Sequence, residues 1–160
     1  KIKTDLKIYE AYARGKLKNE EITPVVGDKV QIQITDEQKG TAIIEKIEER
    51  KKYIKGPKMA NIDQIIRIVS TKNPKPDLLM LDKQLAYAKL NNIKPIICIN
   101  KIDLGLDTEV EDISNVYKSI GYTVITTNAK EKVGIDNLKE ILKNDINIFN
   151  TWDLLEVCYE

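Results

Sequence analysis

The 160-residue chain contains no histidine. That absence excludes a Ser-His-Asp or Cys-His nucleophilic site and any histidine zinc site within it. Cysteine is nearly absent as well, with Cys98 inside the apolar run PIICI and Cys158 near the end. Two thiols in unrelated contexts exclude a disulfide-stapled fold and fit a reducing compartment, so both read as free thiols. No apolar run approaches the roughly 20 residues that cross a bilayer. The amino terminus lacks the apolar stretch of a signal peptide, so no membrane is expected. A GxxxxGK[ST] phosphate loop occurs nowhere. No residue is singled out as catalytic, and none as a metal ligand.

What is present is enough apolar material for a core, 42%, beside 32% charged residues. The length allows one compact domain or two small ones. The formal net charge of +1 conceals an asymmetry. Residues 1–60 hold 14 Lys or Arg against 10 Asp or Glu, whereas residues 61–160 hold 12 against 15. A modestly basic module ahead of a mildly acidic one permits nucleic-acid contact by the first.

The pattern changes along with the charge. Ile8–Arg14, Lys29–Thr35 and Thr41–Glu49 show alternation or β-branched enrichment between turn residues. In the second, Val30, Ile32 and Ile34 share one face and Gln31 and Gln33 the other, which predicts a strand with one dry side. Strands of this length close economically as a small OB-like β-barrel over residues 1–52. A five-stranded barrel needs further strands, including one upstream of Lys1. Residues 53–62 read as a linker, and the wider run Lys51–Asn61 as an exposed connector containing Gly56-Pro57 and four lysines.

Over residues 63–149 strands and helices alternate. Ile65–Thr71 is a nearly continuous apolar strand. Asp77 caps a helix running to about Asn91, whose buried face is Leu78, Leu81, Leu85 and Ala88. Lys94–Asn100 and Tyr122–Thr127 read as strands, Glu109–Ile120 and Ile135–Leu142 as helices, and Ile146 opens a fourth short strand. This is the signature of a parallel sheet covered by helices, on which ligands bind at the carboxyl ends of the strands. The tail 150–160 is left unassigned, a helix being one reading of Thr151–Glu160.

Directly after PIICI stands Asn100-Lys101-Ile102-Asp103. Guanine presents N1–H and an exocyclic amine side by side, and the Asp103 carboxylate suits both as a bidentate acceptor. Adenine offers an acceptor at N1 and no amine at that position, so the same carboxylate loses its partners. The Lys101 stem covers one base face. Asn100 bonds the base edge or ties its loop to a neighbour, and Ile102 anchors the loop in the core. One strand later come Asn128-Ala129-Lys130. Ala129 is small enough for its backbone N–H to approach the guanine carbonyl oxygen, and Lys130 covers the other face.

These residues resemble translational-type GTP-binding domains: NKID matches their fourth sequence element and TNAK a variant of the fifth, with Asn128 in place of the usual serine. Both stand here without an upstream phosphate loop and behind a β-rich leader. In this the chain resembles the circularly permuted, ribosome small-subunit-dependent GTPases (the RsgA/YjeQ family). Ala13–Val30, Ala60–Ser70 and Ile93–Leu104 carry the likeness, which extends over about residues 2–149. The resemblance implies an OB-fold leader that contacts ribosomal RNA, followed by a partial P-loop-GTPase-type parallel sheet with helices. It implies a cytoplasmic, monomeric GTP hydrolase of small (30S) ribosomal subunit biogenesis, binding GTP/GDP. Mg2+ and a structural Zn2+ are expected only in an intact parent protein. In the family the phosphate loop follows the strand at Ile146–Phe149. Here Asn150 and TWDLLEVCYE follow instead, so this polypeptide is expected to be catalytically incompetent.

RNA contact is expected of Arg14, Lys16, Lys18 and Lys29, with Lys51, Lys52, Lys55 and Lys58 crowding the connector. Tyr9 and Tyr12 fall on opposite faces of their strand, so only one serves a given surface. Two other function classes compete: a non-catalytic nucleic-acid or ribosome-binding module with a degenerate GTPase-like domain, and a metabolite-binding protein with an accidental NKID.

Overall fold

A computed structural model describes residues 1–15, 23–55, 58–72, 74–105, 108–143, 145–150 and 155–158. The chain divides into two compact units, Lys1–Asn61 and Ile62–Glu160.

The first unit is built on a mixed four-stranded sheet. Its strands are β1 (Ile2–Lys3), β2 (Ile8–Ala13), β3 (Val30–Asp36) and β4 (Thr41–Ile47), in the order β1-β2-β4-β3. β3 and β4 form an antiparallel hairpin closed by an Asp36 carboxylate that accepts from Lys39 N at 2.9 Å. β2 joins β4 in parallel. Register shifts between Gln31 and Ile32 and between Ile34 and Asp36 curl this sheet into the half-barrel of an OB-like domain. They also break the expected alternation, because Ile34 comes out 46% exposed instead of dry. The short β1, not anticipated as a strand, pairs antiparallel with β2.

The stretch expected to be an exposed connector is instead a hairpin of β5 (Tyr53–Lys55) and β6 (Lys58–Ala60); Gly56 and Pro57 lie outside the described residues. Ile54, Met59 and Ala60 are buried, so an apolar contribution hidden among lysines makes this segment part of the first unit. Gly27 explains how close the packing is. Its φ is +88, and a Cβ there would stand 1.8 Å from Ala60 O, so glycine alone fits. Asp28 next to it grips Arg50 in two parallel hydrogen bonds, Nε–Oδ1 at 2.7 Å and Nη2–Oδ2 at 2.8 Å.

The second unit contains β7 (Gln64–Ser70), α1 (Leu78–Leu90), β8 (Lys94–Asn100), α2 (Thr108–Ser119), β9 (Thr123–Thr126), α3 (Ile135–Leu142), β10 (Asn147–Asn150) and β11 (Leu155–Cys158). The sheet order is β11-β10-β7-β8-β9, with β10, β7, β8 and β9 mutually parallel. The unassigned tail supplies β11, a strand antiparallel to β10 and not a helix. Asp77 caps α1 as expected, accepting from Met80 N at 2.9 Å. Leu81, Leu85 and Ala88 form the buried face, whereas Leu78 is exposed. One sheet face packs Val69, Ile97 and Ile99 against Leu81, Leu85 and Tyr117; the other packs Ile66, Ile96, Cys98 and Ile125 against Leu142. Each such buried side chain contributes about 1.5–3 kcal/mol.

The apolar run is interrupted by Arg67, which shares its face with Ile65 and Val69 and pairs across the sheet with Ile97. It is 3% exposed, and its Nε and Nη1 have no hydrogen-bond partner among the described residues. Burial lowers its pKa from the usual guanidinium range to about 10. Toward the amino-terminal ends of the strands the side-chain amide donors are satisfied, while Gln64 Oε1 is buried without a hydrogen-bond partner among the described residues. Gln64 Nε2 donates to Asn147 Oδ1 at 2.6 Å, and Asn147 Nδ2 donates to Leu142 O and Asp145 O, both at 2.8 Å.

Candidate guanine-recognition site

β8 ends at Asn100, where Lys101 turns the chain into the left-handed region (φ 64, ψ 39) and a short 3-10 turn, Ile102–Leu104, follows. A lysine in that conformation costs about 1–2 kcal/mol. The Lys101 carbonyl oxygen is therefore held from two directions, by Thr71 Oγ1 at 2.8 Å and Leu104 N at 3.0 Å. Thr71 N also donates to Asn100 O at 3.1 Å.

β9 leads through Thr127 into the second loop. The Asn128 side-chain Oδ1 accepts the N–H groups of Lys130 at 3.1 Å and Glu131 at 3.2 Å. This local turn replaces two hydrogen bonds that water would otherwise supply. The Asn128 and Val133 backbones exchange hydrogen bonds at 3.0 Å in both directions. Gly134 then starts α3 at φ +74, with room for no Cβ, since one would lie 2.3 Å from Thr126 O.

The two loops meet at Asn100. Its Oδ1 accepts from Thr127 Oγ1 at 3.1 Å and from Ala129 N at 3.2 Å. Of the two roles open to Asn100, the tie between loops is the one this geometry carries. Ile102 N adds a longer bond to Thr127 O at 3.4 Å. Asn100, Lys101 and Ile102 are half-buried, Asn128 is buried, and Asp103, Ala129 and Lys130 are exposed. Ile102 thus sits at the margin of the core, not within it. The Ala129 N–H expected to meet a base carbonyl is held by Asn100 here, so a base using it would have to displace Asn100 Oδ1. That exchange trades one hydrogen bond for another and costs little if Asn100 keeps a second donor.

Thr127 and Thr71 escaped the sequence reading. Thr127 is 2% exposed and takes part in bonds to four neighbouring positions: Ile99 O, Asn100 Oδ1, Ile102 N and Cys98 Sγ, the last at 3.4 Å. Burial pushes the Cys98 thiol up, so it keeps its proton and donates within this group. The available signal was a polar residue at the carboxyl end of each buried parallel strand.

On the first unit, Arg14 is exposed and ion-paired with Glu45 at 3.2 Å. Lys29 is exposed. Lys16 and Lys18 lie outside the described residues. Tyr9 is buried with its hydroxyl donating to Glu37 at 2.9 Å, and Tyr12 is 63% exposed, which leaves Tyr12 as the tyrosine of this pair open to solvent.

The chain matches known proteins over both units. Residues 1–42 match the family model described as the RsgA N-terminal domain, and residues 47–150 the one described as RsgA GTPase. It is 42% identical over 148 residues to the small ribosomal subunit biogenesis GTPase RsgA of Clostridium novyi (strain NT), covering 92% of this chain and 50% of that protein. Against the protein of the same name from Alkaliphilus metalliredigens (strain QYMF) the values are 35%, 92% and 51%. The crystal structure of YjeQ from Thermotoga maritima superposes with a TM-score of 0.75 at 31% identity, covering 89% of this chain and 51% of that one. That of YloQ, described as a circularly permuted GTPase, gives 0.71 at 30% identity, with 92% and 52% covered. The chain spans about half the length of these relatives. With a family model matched from residue 47 through β10 and across both loops, the chain belongs to the RsgA GTPase family.

Proposed function

We propose that this chain is the guanine-recognising portion of a GTP hydrolase acting in small ribosomal subunit biogenesis. Asp103 accepts the N1–H and amine of guanine, Ala129 N–H donates to its carbonyl oxygen, and Lys101 and Lys130 cover its two faces. Asn100 and Asn128 hold the loops that present these groups. The observation that carries the reading is the Asn100 side chain bridging Thr127 and Ala129, which brings both base-recognition loops to one edge of the sheet. The relatives named for this activity support the assignment to GTP and GDP.

The residues described here hold the base end of the nucleotide only. Among them no group of three or more His, Cys, Asp or Glu is able to hold a metal ion. Phosphoryl transfer needs donors around the β- and γ-phosphates and a neutralising cation, and the sequence carries no GxxxxGK[ST]. Purified chain is expected to bind GDP weakly, to bind ADP more weakly still, and to hydrolyse GTP no faster than buffer. Calorimetric titration with both nucleotides and a phosphate-release assay check this. Equal affinity for GDP and ADP would remove the guanine reading, and rapid hydrolysis would remove the incompetence.

The stretch TWDLLEVCYE after Asn150 favours a second reading, a non-catalytic ribosome-binding module with a degenerate GTPase-like domain. The coding sequence beyond Phe149 separates the two. In either case the OB-like unit is the RNA-facing part, and the protein works as a cytoplasmic monomer. No helix among the described residues is long and apolar enough to cross a membrane. Exposed ion pairs contribute about 0–1 kcal/mol, so Glu45 yields Arg14 to a phosphate at small cost. Arg14→Glu with Lys16→Glu is expected to weaken binding to 30S subunits several-fold and to flatten its salt dependence. Sedimentation across a salt series checks this, and an unchanged slope would count against the contact.

A further inference from the structure

Ala129 N–H is the donor for the guanine carbonyl oxygen in the reading above, yet Asn100 Oδ1 already holds it at 3.2 Å. A base that takes this N–H leaves Asn100 Oδ1 with the donors that remain. Among the hydrogen bonds described there is one such donor, Thr127 Oγ1 at 3.1 Å. We propose that Thr127 is a positioning residue for guanine recognition: its hydroxyl keeps Asn100 satisfied and so releases Ala129 N–H to the base carbonyl. The proposal deepens the guanine reading and rests on it.

Three features support this role over simple core filling. Thr127 is anchored on both sides of its hydroxyl, with its N–H donating to Ile99 O at 2.8 Å and its carbonyl oxygen accepting from Ile102 N at 3.4 Å. The hydroxyl is therefore fixed relative to β8 and cannot follow the second loop. Its own acceptor capacity is met by Cys98 Sγ at 3.4 Å, which leaves its proton for Asn100. Finally, the side chain is buried, so water does not stand in for it. Without the hydroxyl, Asn100 Oδ1 retains Ala129 N–H as its donor and competes with the nucleotide for it.

The test uses the purified chain with Thr127→Val, which keeps shape and volume, and Thr127→Ser, which keeps the hydroxyl. Competition titrations compare GDP with two analogues: 6-thio-GDP, altered only at the carbonyl position, and IDP, which lacks only the amine that Asp103 reads. Thr127→Val is expected to lower GDP affinity on the order of tenfold and to shrink the GDP preference over 6-thio-GDP. The preference over IDP should stay as it was, and Thr127→Ser should restore wild-type values. If the valine chain does not fold, by circular dichroism, Thr127→Ala is read in the same way. A structural role alone lowers all three nucleotides by one factor, and that result would overturn the proposal, as would unchanged GDP binding. Where wild type prefers GDP to ADP but the valine variant behaves like it, only the Thr127 role falls. If wild type shows no such preference, the guanine reading falls with it.

Discussion

Asp103→Asn should shift the ratio of GDP to XDP affinity by about two orders of magnitude toward XDP. The native carboxylate presents two acceptors to two adjacent donors, and both hydrogen bonds are charge-assisted. An amide keeps one acceptor for N1–H but turns a donor toward the guanine amine, where two N–H groups oppose each other. Loss of one such bond together with the clash amounts to about 3 kcal/mol. Xanthine carries a carbonyl in place of that amine, so the amide matches it on both positions, whereas the native carboxylate meets an oxygen there. Asp103 is exposed, at the end of a short turn, so the substitution leaves the core untouched and both proteins should unfold at the same denaturant concentration. Competition between the two nucleotides reads the ratio directly. An unaltered ratio would take Asp103 out of base recognition.

Arg67→Met should stabilise the second unit by about 2 kcal/mol at neutral pH, because it replaces a buried guanidinium whose Nε and Nη1 lack partners among the described residues by an apolar side chain of similar length. Burial lowers the pKa of Arg67 to about 10 on folding, so the charged form carries a cost in the folded protein. Some of that is lost again through imperfect packing of methionine. The sign with pH follows from the direction of the change. The folded protein holds this proton less tightly than the unfolded chain, so the penalty is fully present below pH 10. It is relieved as pH rises through the folded value toward the higher one of the unfolded chain. The advantage of Met over Arg should accordingly be constant from pH 7 to 9 and narrow above pH 10. Urea unfolding of both proteins at several pH values measures it. A methionine variant no more stable than the parent would mean that the guanidinium finds acceptors in the folded chain.

The alternating sheet was legible because its strands are apolar on both faces and its turns carry Asn, Pro and Gly. The NKID loop was legible because chemistry and position coincide: a carboxylate placed where a buried strand ends. What escaped depended on distant partners. Ile54, Met59 and Ala60 looked like isolated apolar residues in a lysine-rich run, and only pairing across the β5–β6 hairpin and the approach of Gly27 bury them. Ile34 followed the alternation, but two register shifts in the strand turned it outward. Leu78 had the right spacing for a buried helix face yet stands in the first turn, where the sheet no longer covers it. Thr127 looked like one more β-former, since nothing in its own segment shows that Asn100 lies opposite. Arg67 sat unnoticed in a strand whose pattern reads as apolar. In each case spacing along the chain located the element, and the partner across space decided the residue.

The grip of Thr71 on the first loop has a consequence for how this site varies. Both of its hydrogen bonds end on main-chain oxygens, those of Asn100 and Lys101. The tether is therefore blind to the side chains those positions carry. Sequence drift at the lysine, or at the turn beyond it, alters what the loop offers a ligand while its path out of the sheet stays put. Such an arrangement separates the inheritance of shape from that of selectivity, and a descendant chain is free to change what the loop presents without rebuilding the strand that displays it.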